Sequence, residues 1–232
     1  MDKLLSNIEI CVHPSIYLKD PASSELGKKI IQGSIDLMYE LGFEAFTFRK
    51  LAQHISSTEA SVYRYFESKH KLLLFLTSWY WSWLEYRLVY AIANLENPIV
   101  RLERAIIIVT KQVEEDGNFA HINEIKLHQI VIAESSKVYL TREVDANNKT
   151  GSFSGYKQLV ERISKIILEV KPNYKYPHML VSTVIEGMHH QRYFAEHLPR
   201  LTDEVSGEDA ITIFYKNLVL SILKIEPSGK YI

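Results

Sequence analysis

Only 9 glycines and 7 prolines interrupt this chain of 232 residues. They fall between long segments whose apolar residues recur every three or four positions, the period of a helix buried along one side. Alternating apolar and polar runs, the mark of half-buried strands, are nearly absent. The chain reads as all-α, and its apolar stripes must be hidden by packing helix against helix.

The breakers and capping residues divide the chain. Residues 1–22 form an N-terminal extension in which Pro14 and Pro21 interrupt a weak alternation, and a disordered or loosely docked arm is expected. Ser23 or Ser24 caps a helix reaching Leu41, with Gly42 just past its end. Thr47 caps a short helix over 48–55, Ser56-Ser57 links it to a third helix capped by Thr58, and Ser68 opens a long helix over about 69–94. Asn97-Pro98 starts a helix to about Glu115. Further helices are expected over about 119–136, 156–170, 177–197 and 207–225. Residues 145–155 (DANNKTGSFSG) read as a loop.

Lys and Arg total 27 against 28 Asp and Glu, a formal charge of −1. That balance excludes a protein that coats nucleic acid by bulk charge, but it leaves a local basic surface open. Within residues 47–71, Arg49, Lys50, Arg64, Lys69 and Lys71 face only Glu59 and Glu67. Cys11 is the single cysteine, so an internal disulfide or a CxxC site is excluded. No metal-ligand spacing such as HExxH occurs, and neither a metal nor a cofactor is expected. The N-terminus lacks the features of a signal peptide, and the greasiest run, 72–84, is too short to span a membrane. A cytoplasmic protein without membrane association is expected.

Two helices of about nine residues joined by a tight turn form a helix-turn-helix unit over 47–66. It is too small to bury its own core. Phe43, Phe48, Leu51, Ala52, Ile55, Val62 and Phe66 are its inward residues, completed by Leu37 of the preceding helix. Gly33 and Ser34 mark a close helix approach.

The segment from Gly42 to Leu73, GFEAFTFRKLAQHISSTEASVYRYFESKHKLL, resembles the DNA-binding domain of the TetR family of bacterial transcriptional regulators. The resemblance rests on Gly42-Phe43, Thr47, Leu51-Ala52 and above all Val62-Tyr63-Arg64-Tyr65-Phe66 followed by Ser68-Lys69 and Leu72-Leu73. Two departures stand out. Ser56-Ser57-Thr58 replaces the family's usual G-V-S turn, and Glu59-Ala60 opens the third helix.

The resemblance implies a TetR-like fold of about nine helices. An N-terminal three-helix DNA-binding domain (23–68) would precede a larger ligand-binding and dimerisation domain (69–232). It implies that the third helix enters the major groove, with Glu59, Ala60, Ser61 and Arg64 as candidates for base edges. Thr47, Thr58, Tyr63 and Lys69 are candidates for the DNA backbone, and Tyr65 for either. The aromatic stripe Trp79, Trp83, Tyr86 and Tyr90 is then a candidate wall of an effector pocket, with Gln112, His121, His128, Glu186 and His189 as polar members. The last two helices carry a candidate dimer interface at Val184, Met188, Ile211, Phe214, Leu218 and Ile222.

The expected function is a ligand-responsive transcriptional regulator, a repressor rather than an enzyme. It would bind a palindromic double-stranded DNA operator as a homodimer and leave it when a small, largely apolar effector binds. The alternatives are an all-helical small-molecule or lipid carrier or enzyme without DNA binding, and an interaction module whose helix-turn-helix has lost DNA. No nucleophile–base constellation supports catalysis.

Overall fold

The computed structural model describes residues 10–203 and 205–229. Among them are eleven α-helices and no strand. Two compact units divide the chain. One runs up to Trp83 and resumes over Val113–Gly155; the other comprises Leu84–Gln112 and Tyr156 onward.

In the first unit, α1 (Glu25–Ala45) is capped by Ser24, whose hydroxyl accepts from the Gly27 N–H at 3.1 Å. The helix breaks at Gly42, which adopts φ 73°. Thr47 caps α2 (Phe48–His54) and Thr58 caps α3 (Glu59–Tyr63), each hydroxyl accepting the backbone N–H three residues on. Each cap satisfies one of the donors that a helix start leaves open. α4 (Lys69–Ile92) opens with Ser68, which accepts from the Lys71 N–H.

Phe43, Phe48, Leu51, Ala52, Val62 and Phe66 are buried together with Leu37, while Ile55 is only partly covered. Gly33 permits the close approach of α1 and the end of α2. A Cβ there would lie 2.6 Å from the Ile55 Cγ2.

α1 also packs along α6 (Glu124–Glu134). Lys126 pairs with Asp36 at 2.5 Å, and the buried Glu134 accepts the Phe43 N–H at 3.0 Å. Short helices α7 (Ser136–Tyr139) and α8 (Val144–Lys149) complete this unit. They raise the helix count above the nine expected. α8 occupies part of the expected loop 145–155, held by the buried Asn147, whose side-chain oxygen accepts from Lys71 Nζ at 3.0 Å. A tertiary contact, not local propensity, orders that polar run.

The N-terminal segment is docked from residue 10 onward; residues 1–9 lie outside the described residues. Ile16 and Pro21 are buried, and the Leu18 N–H donates to the Tyr65 carbonyl at 2.8 Å.

The second unit contains α5 (Pro98–Thr110), most of α9 (Ser154–Val170), α10 (Pro177–His197) and α11 (Ala210–Leu223). α5 ends five residues before the expected Glu115. Glu114, Glu115 and Asp116 follow, and acidic side chains oppose the negative C-terminal end of a helix. Arg192 of α10 ties three elements together, donating to the Thr110 carbonyl at 2.6 Å and to Asp209, the cap of α11, at 2.8 Å.

Candidate nucleic-acid interface

The α2–turn–α3 unit presents its polar residues outward from a closed apolar floor. The turn departs from glycine at Ser56, which nevertheless takes the left-handed conformation the position requires, φ 53°. The chain closes behind it with the Ser57 N–H on the Ala52 carbonyl at 2.8 Å. Substituting serine for glycine therefore preserves the turn at some backbone strain.

Thr58, Ser61 and Arg64 form one hydrogen-bonded line on α3. The Thr58 and Ser61 hydroxyls are 2.8 Å apart, and Arg64 Nη2 donates to Ser61 Oγ at 3.1 Å. Glu59 and Ala60, at the start of the same helix, are exposed, as are Thr47 and Arg64. Tyr63 leans its ring edge-on against Phe48, centroids 4.9 Å apart, yet stays 48% exposed. The surface thus offers a guanidinium, two hydroxyls, a phenol and a carboxylate on one short element, a set able to contact both phosphates and base edges.

Two residues assigned to this surface do other work. Tyr65 is 2% exposed, and its hydroxyl lies 2.7 Å from Ser24 Oγ, the cap of α1. That hydrogen bond lowers its pKa. A side chain so enclosed cannot reach DNA; it fastens the end of α3 to the start of α1. Lys69 directs its ammonium at the carbonyls of Phe43, Glu44 and Phe46, at 3.0, 3.2 and 3.4 Å. It also stacks over the Phe43 ring at 4.5 Å. With its donors on the carbonyl end of α1, its role is to hold the α1–α2 junction rather than a phosphate.

Glu134 and the arm residues Leu18 and Lys19 support the same unit. Lys19 Nζ sits 5.0 Å over the Tyr65 ring. Nothing in the sequence signalled these contacts, because Glu134 and Phe43 are separated by 91 positions.

The candidate pocket residues take diverse positions. In the first unit, Trp79 and Trp83 are buried and stacked at 6.2 Å, with Phe119 edge-on to Trp79. His128 is buried, its Nδ1 2.8 Å from the Tyr80 hydroxyl. His121 lies in the segment before α6. In the second unit, Tyr86 is partly covered, Glu186 accepts from the Tyr156 hydroxyl at 2.9 Å, and His189 is buried. Burial and the neighbouring His190 hold the His189 pKa down at about 3. Tyr90 is 74% exposed and Gln112 is exposed, so neither is enclosed within its own unit.

The candidate dimer residues divide in the same way. Val184, Met188 and Ile211 are buried within the chain itself and so out of a partner's reach. Phe214, 56% exposed, and Ile222 are open apolar side chains on α11, and Leu218 is half-buried beside them. Among the described residues, no group of His, Cys, Asp or Glu is arranged to hold a metal, and no helix is long and apolar enough to cross a membrane.

A family model for bacterial regulatory proteins of the tetR family matches residues 30–75, the span from mid-α1 into α4. No curated protein matches the chain. Solved structures share its fold at low identity. The TetR family transcriptional regulator PfmR from Thermus thermophilus is 14% identical, with a TM-score of 0.56 over 84% of this chain and 97% of its own. The superantigen PfiT is 16% identical, with a TM-score of 0.58 over 88% and 97%. AibR in complex with isovaleryl coenzyme A and operator DNA is 16% identical, with a TM-score of 0.52 over 83% and 95%. One fold carries differently described proteins here, so the functional weight falls on the helix-turn-helix itself. Residues 30–75, the span that holds the helix-turn-helix, are similar to the tetR family of bacterial regulatory proteins.

Proposed function

We propose that the protein is a cytoplasmic, ligand-responsive transcriptional repressor that binds a palindromic operator as a homodimer. The observation that carries this reading is the exposed line Thr58–Ser61–Arg64 on a helix whose position is fixed from both ends, by the Thr58 cap and by Tyr65 on Ser24. Fixing those hydroxyls and the guanidinium before contact lowers the ordering cost of reading bases. Two copies of α3, related by a two-fold axis, would enter successive major grooves about 34–36 Å apart. Phe214, Leu218 and Ile222 on α11 are the apolar residues we assign to that two-fold interface.

AibR was captured with both an acyl coenzyme A and operator DNA, and PfmR is a transcriptional regulator. The same division of labour is proposed here: a small, largely apolar effector shifts the protein to a conformation that fits the operator less well. The coupling expected of such a device is about 1–3 kcal/mol.

A mobility-shift titration against the DNA upstream of the protein's own gene tests the reading. A retarded complex that survives excess unrelated DNA and is lost as salt rises supports it. Absence of any DNA complex at low salt, with the protein folded, overturns it.

A further inference from the structure

A cleft of about 270 Å³ opens in the first unit between the N-terminal segment and the helices behind it. Its inner wall is apolar and ring-rich: Ile31 of α1, Phe75 and Trp79 of α4, and Phe119 and Ile122 of the segment before α6. Its outer wall is the docked segment, through Val12, Tyr17 and Pro21. None of these lining side chains belongs to the exposed surface of α3. A mostly apolar concavity with a few polar groups is the usual form of a small-molecule site.

The polar groups decide the charge of the occupant. Lys28 and His121 both line the cleft. Among the described residues, Lys28 is engaged in an exposed pair with Glu25 at 2.9 Å, one turn away on the same helix. Such exposed pairs contribute little and exchange readily for a better-sheltered anion. Burial, and after it Lys28, lower the His121 pKa, and its ring can donate an N–H to an anion. Asp20 is the one carboxylate among the described lining residues, and its Oδ1 is committed to the Ala22 N–H at 2.9 Å, capping the turn Pro21–Ser23.

We propose that this cleft is a binding site for a compact, ring-bearing monocarboxylate. Its ring lies between Trp79, Phe119 and Tyr17, and its head rests on Lys28 and His121. The site communicates with the reading helix over a single step. Leu18 and Lys19, within the outer wall's own segment, hold Tyr65 by a 2.8 Å backbone hydrogen bond and a cation–ring contact at 5.0 Å. Tyr65 follows Arg64 directly. Occupancy therefore bears on the C-terminal end of α3. This names a ligand class for the effector reading above and rests on that reading only for its biological consequence; the binding step stands without DNA.

Naphthoate is the probe, measured by titration calorimetry on the full chain without DNA. One naphthoate per chain is expected. Neutral naphthylmethanol and cationic naphthylmethylamine should bind at least about tenfold more weakly, and Lys28→Gln should weaken naphthoate by a similar factor. Cys11 lines the same cleft and is the chain's only cysteine, so bound naphthoate should slow its alkylation by iodoacetamide. Hydrogen exchange should change in residues 16–22 and 61–66 together. Equal affinity for the alcohol or amine, an unaffected Lys28→Gln, or unchanged Cys11 alkylation at saturation overturns the site. Binding without altered exchange in 61–66 overturns the link to α3. Loss of DNA binding in the mobility-shift assay leaves all of these readouts in place and counts against the regulator reading alone.

Discussion

The Lys69 ammonium lies 3.0 Å from the Phe43 carbonyl and 4.5 Å from the centre of the Phe43 ring. One residue thus binds the start of α4 to the end of α1, beside the helix-turn-helix unit. A lysine at this position of the sequence reads as a phosphate contact, and the two roles have different signatures. Removing a phosphate contact flattens the salt dependence of DNA binding by about one unit of slope and leaves stability alone. Removing a hydrogen-bonded charge from helix carbonyls costs about 1–3 kcal/mol of stability. Lys69→Ala is expected to lower the denaturation midpoint by an amount in that range while the salt slope of the remaining DNA binding stays the same. Unchanged stability with a flatter slope would return Lys69 to the DNA.

Arg64 is the outward cation of α3, positioned by Ser61 Oγ at 3.1 Å. Arg64→Ala is expected to relax base preference at one operator position per half-site by about 1–3 kcal/mol, with little change in binding to unrelated DNA. Ser61→Ala removes the positioning partner alone and should give a smaller loss at the same base pair. Selection of binding sites from a randomised pool, compared between the three proteins, reads both effects. Identical preferred sites for all three would remove Arg64 from base recognition.

Ser56 sits at φ 53° in the turn between α2 and α3. A non-glycine residue pays about 1–2 kcal/mol in the left-handed region, and glycine recovers most of that, less its greater freedom in the unfolded chain. Ser56→Gly should raise unfolding stability by about 0.5–1 kcal/mol in urea denaturation. A loss of stability would mean that the serine side chain holds the turn in a way its backbone angles do not reveal.

Much of the first unit, and the start of α5, was legible from local chemistry. Ser24, Thr47, Thr58, Ser68 and Asn97 cap the helices their spacing predicted, because a cap is a contact within three residues. The buried set around Leu51, Val62 and Phe66 follows from helical period. What local chemistry leaves open is which polar residue turns inward. Tyr63 and Tyr65 are two apart and chemically identical, yet one lies on the surface and the other under Ser24. That difference is settled by α1 and by the docked segment, through contacts more than forty positions away. The same holds for Val184 and Phe214. Both read as apolar interface residues, but packing elsewhere in the chain decides that the first is core and the second open.

Phe214 and Ile222 leave apolar surface on α11. Replacing Phe214 with glutamate puts a charge where the proposed interface excludes water, a change expected to cost several kcal/mol of association. Phe214→Glu should sediment as a monomer at micromolar concentration while its helix content is retained, and its DNA complex should weaken accordingly. Val184→Glu, by contrast, should unfold the second unit. A Phe214→Glu chain that remains dimeric places the interface elsewhere.

Glu124 opens α6 fully buried. Its Oε2 accepts the Asp116 N–H at 3.2 Å, Asp116 accepts from Trp83 Nε1 at 3.2 Å, and Oε1 finds no donor among the described residues. Burial, with some contribution from Asp116 and Glu115, lifts the carboxyl from 4.5 to about 7. The folded protein therefore holds a proton that the unfolded chain releases above pH about 4.5. Below that pH both states are protonated and Glu124 costs nothing. Between about 4.5 and 7 the unfolded state ionises first, and stability falls as pH rises. Above about 7 the penalty is complete, at about 3 kcal/mol. Glu124→Gln keeps the shape and removes the titration. The variant should match the parent near pH 4 and exceed it by up to about 3 kcal/mol near pH 8, read from urea denaturation at each pH. A stability difference that does not grow across that interval would mean that Glu124 titrates alike in the folded and unfolded chain.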